Sequence, residues 1–246
     1  EECYEFGREA FDHADRFQTP VFVLSDLDLG MNLWMTPEFK YPDKPFDRGK
    51  VLSKADLDRL AGEWGRYRDV DGDGIAYRTL PGTDHAAAGF FTRGSGHDDK
   101  ARYTENADAY ARNMDRLSHK LDTARHELPA PVVDESAKSS IGVIAFGSTH
   151  AAVMEAREAL AAAQRPVDYL RLRALPLADE VAAFVSRHEH VYVVEQNRDG
   201  QVFDLIRLAL SAELVGRVRS IRHYNGQPIP AVAITEPLLK LEAVPA

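Results

Sequence analysis

The sequence predicts an α/β protein whose body is a doubly wound, mainly parallel sheet over residues 139–246, preceded by a short tail and a long irregular insertion. Two observations carry this. Apolar runs with strand character stand at Ile141–Phe146, Val167–Leu172, His190–Glu195 and Val218–His223, and helical patterns fill the gaps at about 149–164, 177–187 and 199–213. Parallel strands cannot be joined by a tight turn and need a crossover of a dozen or more residues, so this alternation reads as successive strand–helix–strand units. The second observation is the texture before residue 139, where that rhythm is absent and Pro, Gly and charge dominate.

Residues 1–37 open with a helix. Cys3, Phe6, Ala10, Ala14 and Phe17 fall at steps of three and four on one stripe, which places Cys3 among buried apolar residues rather than among reactive thiols. Thr19-Pro20 ends the helix, and Val21-Phe22-Val23-Leu24 is a continuously apolar run suited to a strand buried on both faces. One helix and one strand cannot bury each other's apolar surface, so 1–37 reads as the tail of a domain whose body lies upstream. An acidic, amphipathic start without Met fits a fragment and is the reverse of a signal peptide.

Residues 38–138 form a linker, a Gly/His-rich insertion and an amphipathic helix. Ser53-Lys54-Ala55-Asp56 has the form of a capped helix start. Residues 69–97 hold many glycines without apolar periodicity, and an ordered stretch of that length without regular structure is usually functional. Over 105–127, Ala107, Tyr110, Met114, Leu117, Leu121, Ala124 and Leu128 trace one apolar face, for which core packing is the commoner fate and an interface the alternative; Pro129 and Pro131 end the helix.

With 246 residues, 44% of them hydrophobic and 28% charged, the composition is that of an ordinary globular chain. A net charge of -9 leaves no surplus of Lys and Arg to displace counterions, which argues against nucleic acid as a partner and fits a cytoplasmic protein. No apolar run approaches the roughly 20 residues of a membrane span. One cysteine excludes an internal disulfide framework and a Cys-based metal or iron–sulfur site, and makes a reducing compartment the default.

Several short motifs invite chemistry. Gly72-Asp73-Gly74, with Asn106 downstream, has the look of a Mg²⁺–diphosphate motif, but no buried strand precedes it and no apolar helix follows Gly74. Asp69, Asp71, Asp73 and Gly74 imitate a calcium loop whose twelfth position would be Leu80 in place of the required Glu; a Gly/Asp turn is the better reading. Gly147-Ser148-Thr149 joins a strand to a helix, and a Ser148 or Thr149 helix cap is favoured over anion binding, with His150 in the first turn and no special role. The stretch from Leu80 to Asp99 gathers four glycines, two histidines, an arginine and paired acids. Glycine permits close approach to another surface, and Arg and His clasp carboxylates or phosphates; a solvated loop is the even alternative. Arg171, Arg173, Glu195 and Gln196 lie near predicted strand ends, where α/β folds bind ligands, although structural ion pairs explain such residues more often.

Taken in order, several blocks resemble one family. Ser25-Asp26-Leu27-Asp28-Leu29-Gly30-Met31-Asn32 with Trp34 is similar to the end of the pyrimidine-type thiamine-diphosphate domain of 2-oxoacid:ferredoxin oxidoreductase alpha subunits. Arg78 to Thr83 and Thr92-Arg93-Gly94-Ser95-Gly96-His97-Asp98 resemble that family's insertion beside the active-site cleft. Gly147-Ser148-Thr149, Tyr169 to Pro176, Val194 to Gln201 and Tyr224 to Ile229 look like its transketolase-C-terminal-like domain, and the run VEQNRDGQ looks most like the 2-oxoglutarate branch. The resemblance covers nearly the whole chain.

That resemblance implies oxidative decarboxylation of a 2-oxoacid to an acyl-CoA with electrons passed to ferredoxin, in an enzyme carrying thiamine diphosphate, Mg²⁺ and an iron–sulfur cluster. It implies partners: a beta subunit that holds the diphosphate end, an upstream alpha/gamma region, ferredoxin, the 2-oxoacid and CoA. No catalytic residue is assignable in this chain, no metal or cofactor is expected to bind it alone, and alone it is expected to be inactive. Gly82, His85, Arg93, Gly94, Gly96, His97 and Asp98 are the candidates for substrate or CoA access, Arg93 and His97 foremost for anion contact. Two alternatives stand beside this reading: the same chemistry on pyruvate or a branched 2-oxoacid, and a free-standing α/β interaction module without activity.

Overall fold

Residues 1–61 and 63–243 are described by the computed structural model. In chain order the helices and strands are α1 (Glu2–Phe17), α2 (Leu27–Met31), α3 (Lys54–Arg59), α4 (Ala107–Arg125), β1 (Val132–Asp134), β2 (Ile141–Phe146), α5 (Thr149–Ala162), β3 (Asp168–Leu172), α6 (Asp179–Arg187), β4 (His190–Glu195), α7 (Gln201–Ala209), α8 (Ala212–Val215), β5 (Val218–Arg222) and α9 (Val232–Glu242), with a 3-10 turn at Ala86–Ala88. The chain divides into two compact units, one of residues Glu1–Leu24 and Met35–Glu127, the other of Ser25–Trp34 and Leu128–Ala246.

The second unit is the predicted mainly parallel α/β sheet. Its strand order is β1-β3-β2-β4-β5, with β2, β3, β4 and β5 parallel and β1 antiparallel on β3. Alternate residues point to opposite faces, and both faces are covered. Val143, Ala145, Tyr169, Tyr192 and Val194 pack under α5 and α9, while Ile144, Leu170, Val191 and Val193 pack under α6 and α7. All four predicted strands are present, two of them to the residue. The edge strand β1 follows Pro129 and Pro131, which mark helix termination and also suit a sheet edge, where a missing N–H costs nothing.

A charged tie holds that edge. Arg157 Nη1 donates to Asp134 Oδ2 at 2.7 Å, and this bond, with that from Ser136, holds the Asp134 carboxyl well below the usual carboxylate range. A depressed carboxyl contributes stability that is present above its unfolded value, about 4, and lost as pH falls through the folded one. The amide protection factors of residues 132–134, corrected for intrinsic exchange, are therefore expected to be flat from neutral pH to about 5 and to fall only in strong acid. Asp134→Asn is expected to remove the acid step, at under about 1 kcal/mol because the pair is partly solvated.

The first unit is mostly irregular. The Ser53 capping box forms as expected: Ser53 Oγ accepts from the Asp56 amide at 3.2 Å and Asp56 Oδ2 from the Ser53 amide at 2.9 Å. Three expectations fail here. Residues 21–24 are not a strand, and Phe22 and Leu24 are 81% and 89% exposed, because no described strand is placed beside them to take their backbone bonds. Cys3 is exposed rather than buried, since on α1 only Phe17 is fully covered. The helix predicted over 105–127 exists as α4, but it is rotated so that only the Ala124 margin of the predicted face is covered. Tyr110, Met114, Leu117 and Leu121 face out, and the covered residues are Ala109, Ala124 and, against expectation, Lys120.

The reason is Gly74. Its backbone, at φ +77°, lies so close to α4 that a Cβ there would stand 2.4 Å from the Lys120 amide nitrogen and 2.8 Å from the Arg116 carbonyl oxygen. Arg116 Nη1 donates to the Gly74 carbonyl at 2.9 Å, and Thr123 Oγ1 donates to the Asp73 carbonyl at 2.8 Å. Backbone groups of the turn need polar partners, and α4 supplies them from its polar face.

Candidate functional site

In the parallel part of the sheet, the chain leaves β2 toward β3 on one side and returns to β4 on the other. The switch point, the usual ligand crevice of such folds, therefore lies beyond the carboxyl ends of β2 and β4. Here the chain's own Asp26 reaches it. The Asp26 side chain caps α2 by accepting from the Leu29 amide at 3.0 Å, and it also accepts from the Ser148 hydroxyl that follows β2. Burial pushes the Asp26 carboxyl up, but the Ser148 and Leu29 bonds outweigh it and hold it below its ordinary value. From the end of β4, Gln196 Nε2 donates to Ser148 Oγ and Thr149 Oγ1, each at 3.2 Å, while its Oε1 accepts from the Ile229 amide at 3.1 Å. Ser148 thus occupies the N-cap position of α5 without capping it, contrary to expectation, because its hydroxyl is committed to Asp26. His150 lies in the first turn of α5 with its ring stacked on Tyr169.

Glu195 is fully buried, yet it is not a poised acid or base. Oε2 accepts from Asn197 Nδ2 at 2.6 Å and the Val202 amide at 3.0 Å, and Oε1 from the Phe203 amide at 3.1 Å. The carboxylate neutralises the amide end of α7. Asn197 Oδ1 in turn accepts from the amides of Gly200 and Gln201, across a glycine at φ +72°. The run from Glu195 to Gln201 is a helix-entry device. Arg173 Nη1 donates to the Ala130 carbonyl at 3.2 Å.

The Gly72-Asp73-Gly74 run is a turn, as the sequence favours. Asp69 accepts from the Gly72 and Gly74 amides, both at 2.9 Å, while Lys50 Nζ sits between Asp71 at 2.6 Å and Asp73 at 2.7 Å. With an ammonium already on these carboxylates and Asn106 capping α4 through the Ala109 amide, the residues do not fit a Mg²⁺–diphosphate. Among the described residues, no group of three or more His, Cys, Asp or Glu could hold a metal ion.

The candidate access residues separate into two places. His85 Nδ1 accepts from the Ala87 amide at 3.0 Å, and its Nε2 lies 3.3 Å from Asp58, so it fixes the 3-10 turn; Gly82 sits in an exposed turn at φ +90°. Gly96, His97 and Asp98 come together at the start of α4. Gly96 passes so close to the Thr104 carbonyl that a Cβ would lie 2.6 Å from it. Asp98 Oδ1 accepts from the Lys100 and Arg102 amides, both at 2.9 Å. The His97 ring stacks on Tyr67 at 4.0 Å, and Asn113 Nδ2 reaches its Nδ1 at 3.0 Å and its carbonyl at 3.1 Å. Arg93 and Gly94 are exposed, and the Arg93 amide donates to Tyr67 Oη at 3.3 Å. An open cleft of about 390 Å³ lies here, lined by Ser95, Gly96, Tyr103, Thr104, Asn106 and Tyr110, among others.

Sequence reading does not find the centre of this group. The Tyr67 ring also carries Arg66 at 5.3 Å and Arg116 at 5.9 Å. Burial lowers the pKa of Arg66, Arg116 and Lys120; Arg116 lowers both of the others further. The one available signal was the spacing of Asn113, Arg116 and Lys120, a polar stripe on α4 alongside its apolar one.

No family model matches the chain. In sequence it is similar to the alpha subunit of 2-oxoacid:ferredoxin oxidoreductase 2 from Aeropyrum pernix, with 29% identity over 238 residues, 93% of this chain and 35% of that protein. In structure it is similar to a 2-oxoglutarate:ferredoxin oxidoreductase from Magnetococcus marinus, solved with 2-oxoglutarate, coenzyme A and succinyl-CoA bound. The TM-score is 0.76 at 22% identity, over 93% of this chain and 38% of that one. The chain thus spans little more than a third of the length of either relative. The resemblance read from the motifs is met by an alpha subunit of that name, and the fold by an enzyme of that class. Among the described residues no helix is long and apolar enough to cross a membrane.

Proposed function

We propose, from this similarity to an oxidoreductase alpha subunit, that the chain is part of the alpha subunit of a 2-oxoglutarate:ferredoxin oxidoreductase and serves its assembly and active-site access. The reaction is oxidative decarboxylation of a 2-oxoacid to an acyl-CoA with electrons delivered to ferredoxin. The observation that carries the reading is the 238-residue similarity to the Aeropyrum subunit. The Magnetococcus enzyme, which binds 2-oxoglutarate and coenzyme A, makes these the first substrates to test.

Thiamine diphosphate would supply the carbanion chemistry from elsewhere in the complex, since the Asp and Gly residues that mimic its motif here are committed to Lys50 and to their own turn. Mg²⁺ and the iron–sulfur cluster likewise belong to the assembled enzyme in this reading. The sheet unit is a scaffold: at its switch point Ser148 is bonded to Asp26, and Glu195 is spent on a helix. Assembly is supported by the outward row Tyr110, Met114, Leu117 and Leu121 on α4 and by the exposed Leu27, Met31, Leu33 and Trp34. Exposed apolar side chains of this kind, on each unit by itself, mark a contact site for another chain. The beta subunit, the upstream alpha/gamma region and ferredoxin are the proposed partners.

Several measurements test this. Co-expressed with its beta subunit and the rest of the alpha subunit, the chain is expected to co-purify and to give thiamine-dependent reduction of a low-potential dye on adding 2-oxoglutarate and CoA. Leu117→Asp with Leu121→Asp is expected to weaken association by about 100-fold, roughly 3 kcal/mol, without unfolding the chain. Retained association and activity in that variant would remove the assembly role of α4. Within the assembled enzyme, Arg93→Ala is expected to raise KM for 2-oxoglutarate or CoA about 10-fold, the loss of one charge-assisted contact. Unchanged kinetics for both substrates would reject the access role of residues 82–98.

A further inference from the structure

The structure assigns a binding site for a phosphate-class oxyanion to Arg66, Arg116 and Lys120 around Tyr67. The inference goes beyond the proposed function, because it needs only the residues of this folded unit and no partner subunit.

Three positive side chains gather here with no carboxylate in ion-pair contact. Lys120 is only 8% exposed, and its ammonium finds one carbonyl, that of Gln18, at 3.5 Å. Arg116 bonds to the Gly74 carbonyl at 2.9 Å and to Asn113 Oδ1 at 3.4 Å, both neutral. Arg66 has its Nε buried without a hydrogen-bond partner, and its guanidinium lies between the rings of Tyr67 at 5.3 Å and Phe90 at 5.4 Å. Among the described residues, no carboxylate comes within ion-pair distance of any of the three; Asp69 acts on Arg116 only from further away.

Nearby cations are treated differently. Arg78 is paired with Asp15 at 2.9 Å, Lys50 with Asp71 and Asp73, Arg68 with Asp99 at 2.8 Å and Lys100 with Glu63 at 2.9 Å. A chain with 39 acidic against 30 basic residues has carboxylates to spare, yet these three neighbours have none in ion-pair contact. Burial lowers the pKa of each first of all, and mutual repulsion adds to it: Arg116 and Arg66 act on Lys120, Arg116 and Arg78 on Arg66. Ring contacts contribute attraction but neutralise no charge. Desolvated like charges cost stability unless an opposite charge joins them. A tetrahedral dianion answers all three requirements: charge, the planar donor fork of Arg66, and acceptors for the Lys120 ammonium.

The test titrates the whole chain with inorganic phosphate against chloride at constant ionic strength, by calorimetry and thermal unfolding. Phosphate is expected to bind with a Kd below about 1 mM and to raise the unfolding temperature where chloride does not. Arg66→Met and, separately, Lys120→Met are expected to weaken phosphate at least about 10-fold, while unfolding at the same or a higher temperature than the parent when phosphate is absent. Arg198→Met, a change at an exposed arginine paired with Asp199, is expected to leave phosphate affinity unaltered. Equal effects of phosphate and chloride on the parent chain would overturn the site. So would phosphate affinity unchanged in both methionine variants. If Arg66→Met does not fold, Lys120→Met decides alone.

Discussion

Replacing Glu195 with alanine is expected to destabilise the sheet unit by about 3 kcal/mol or more. The carboxylate is fully buried and accepts three hydrogen bonds, two of them from backbone amides in the first turn of α7. Removing it strands those donors away from water, which costs about 1–3 kcal/mol for each unsatisfied group, and leaves the positive end of the helix uncompensated. Glu195→Gln is expected to recover only part of the loss, because its amide nitrogen must face a donor: Phe203 N on one side, or Asn197 Nδ2 and Val202 N on the other. Urea unfolding gives the total, and hydrogen exchange of residues 201–209 locates it. An unaltered midpoint with unaltered α7 protection would mean that the cap carries no weight.

Gly74→Ala is the second large effect, expected at about 3–5 kcal/mol and confined to the first unit. Two causes add. At φ +77° an L side chain is strained, and its Cβ would meet the backbone of Lys120 and Arg116, which cannot swing aside as a side chain tip could. Gly72, at φ +76°, has nothing within 4 Å of a Cβ position, so Gly72→Ala isolates the conformational part alone, about 1 kcal/mol. The difference between the two variants, read from the exchange of α4 amides, measures the steric part. Equal losses would show that the close approach to α4 is not a constraint.

These two residues also show how far the sequence could be read. Buried parallel strands are nearly continuous apolar runs, so Ile141–Phe146 and His190–Glu195 stand out at their true limits. The edge strand Val132–Asp134 is too short to show a period, and prolines hide it. Periodicity named α4 but centred its buried face too far round the helix, because a backbone turn with polar groups to satisfy competes for the inner face and wins. Val21–Leu24 shows the opposite limit: apolar content makes a segment ready for a sheet, but a ladder needs a neighbour. Of the access residues, Gly96, His97 and Asp98 do cluster, whereas His85 is spent on its own turn. Tyr67, which holds the cluster together, carried no motif at all.

The outward face of α4 has a bearing on the life of the polypeptide in a cell. Tyr110, Met114, Leu117 and Leu121 form a greasy ridge on a helix whose inner side is already satisfied. A copy made in excess keeps that ridge wet, where chaperones, proteases and other copies of itself recognise it. On the proposed assembly, its abundance would be tied to the subunit that covers the ridge, and synthesis in step with that subunit would become part of the protein's requirements.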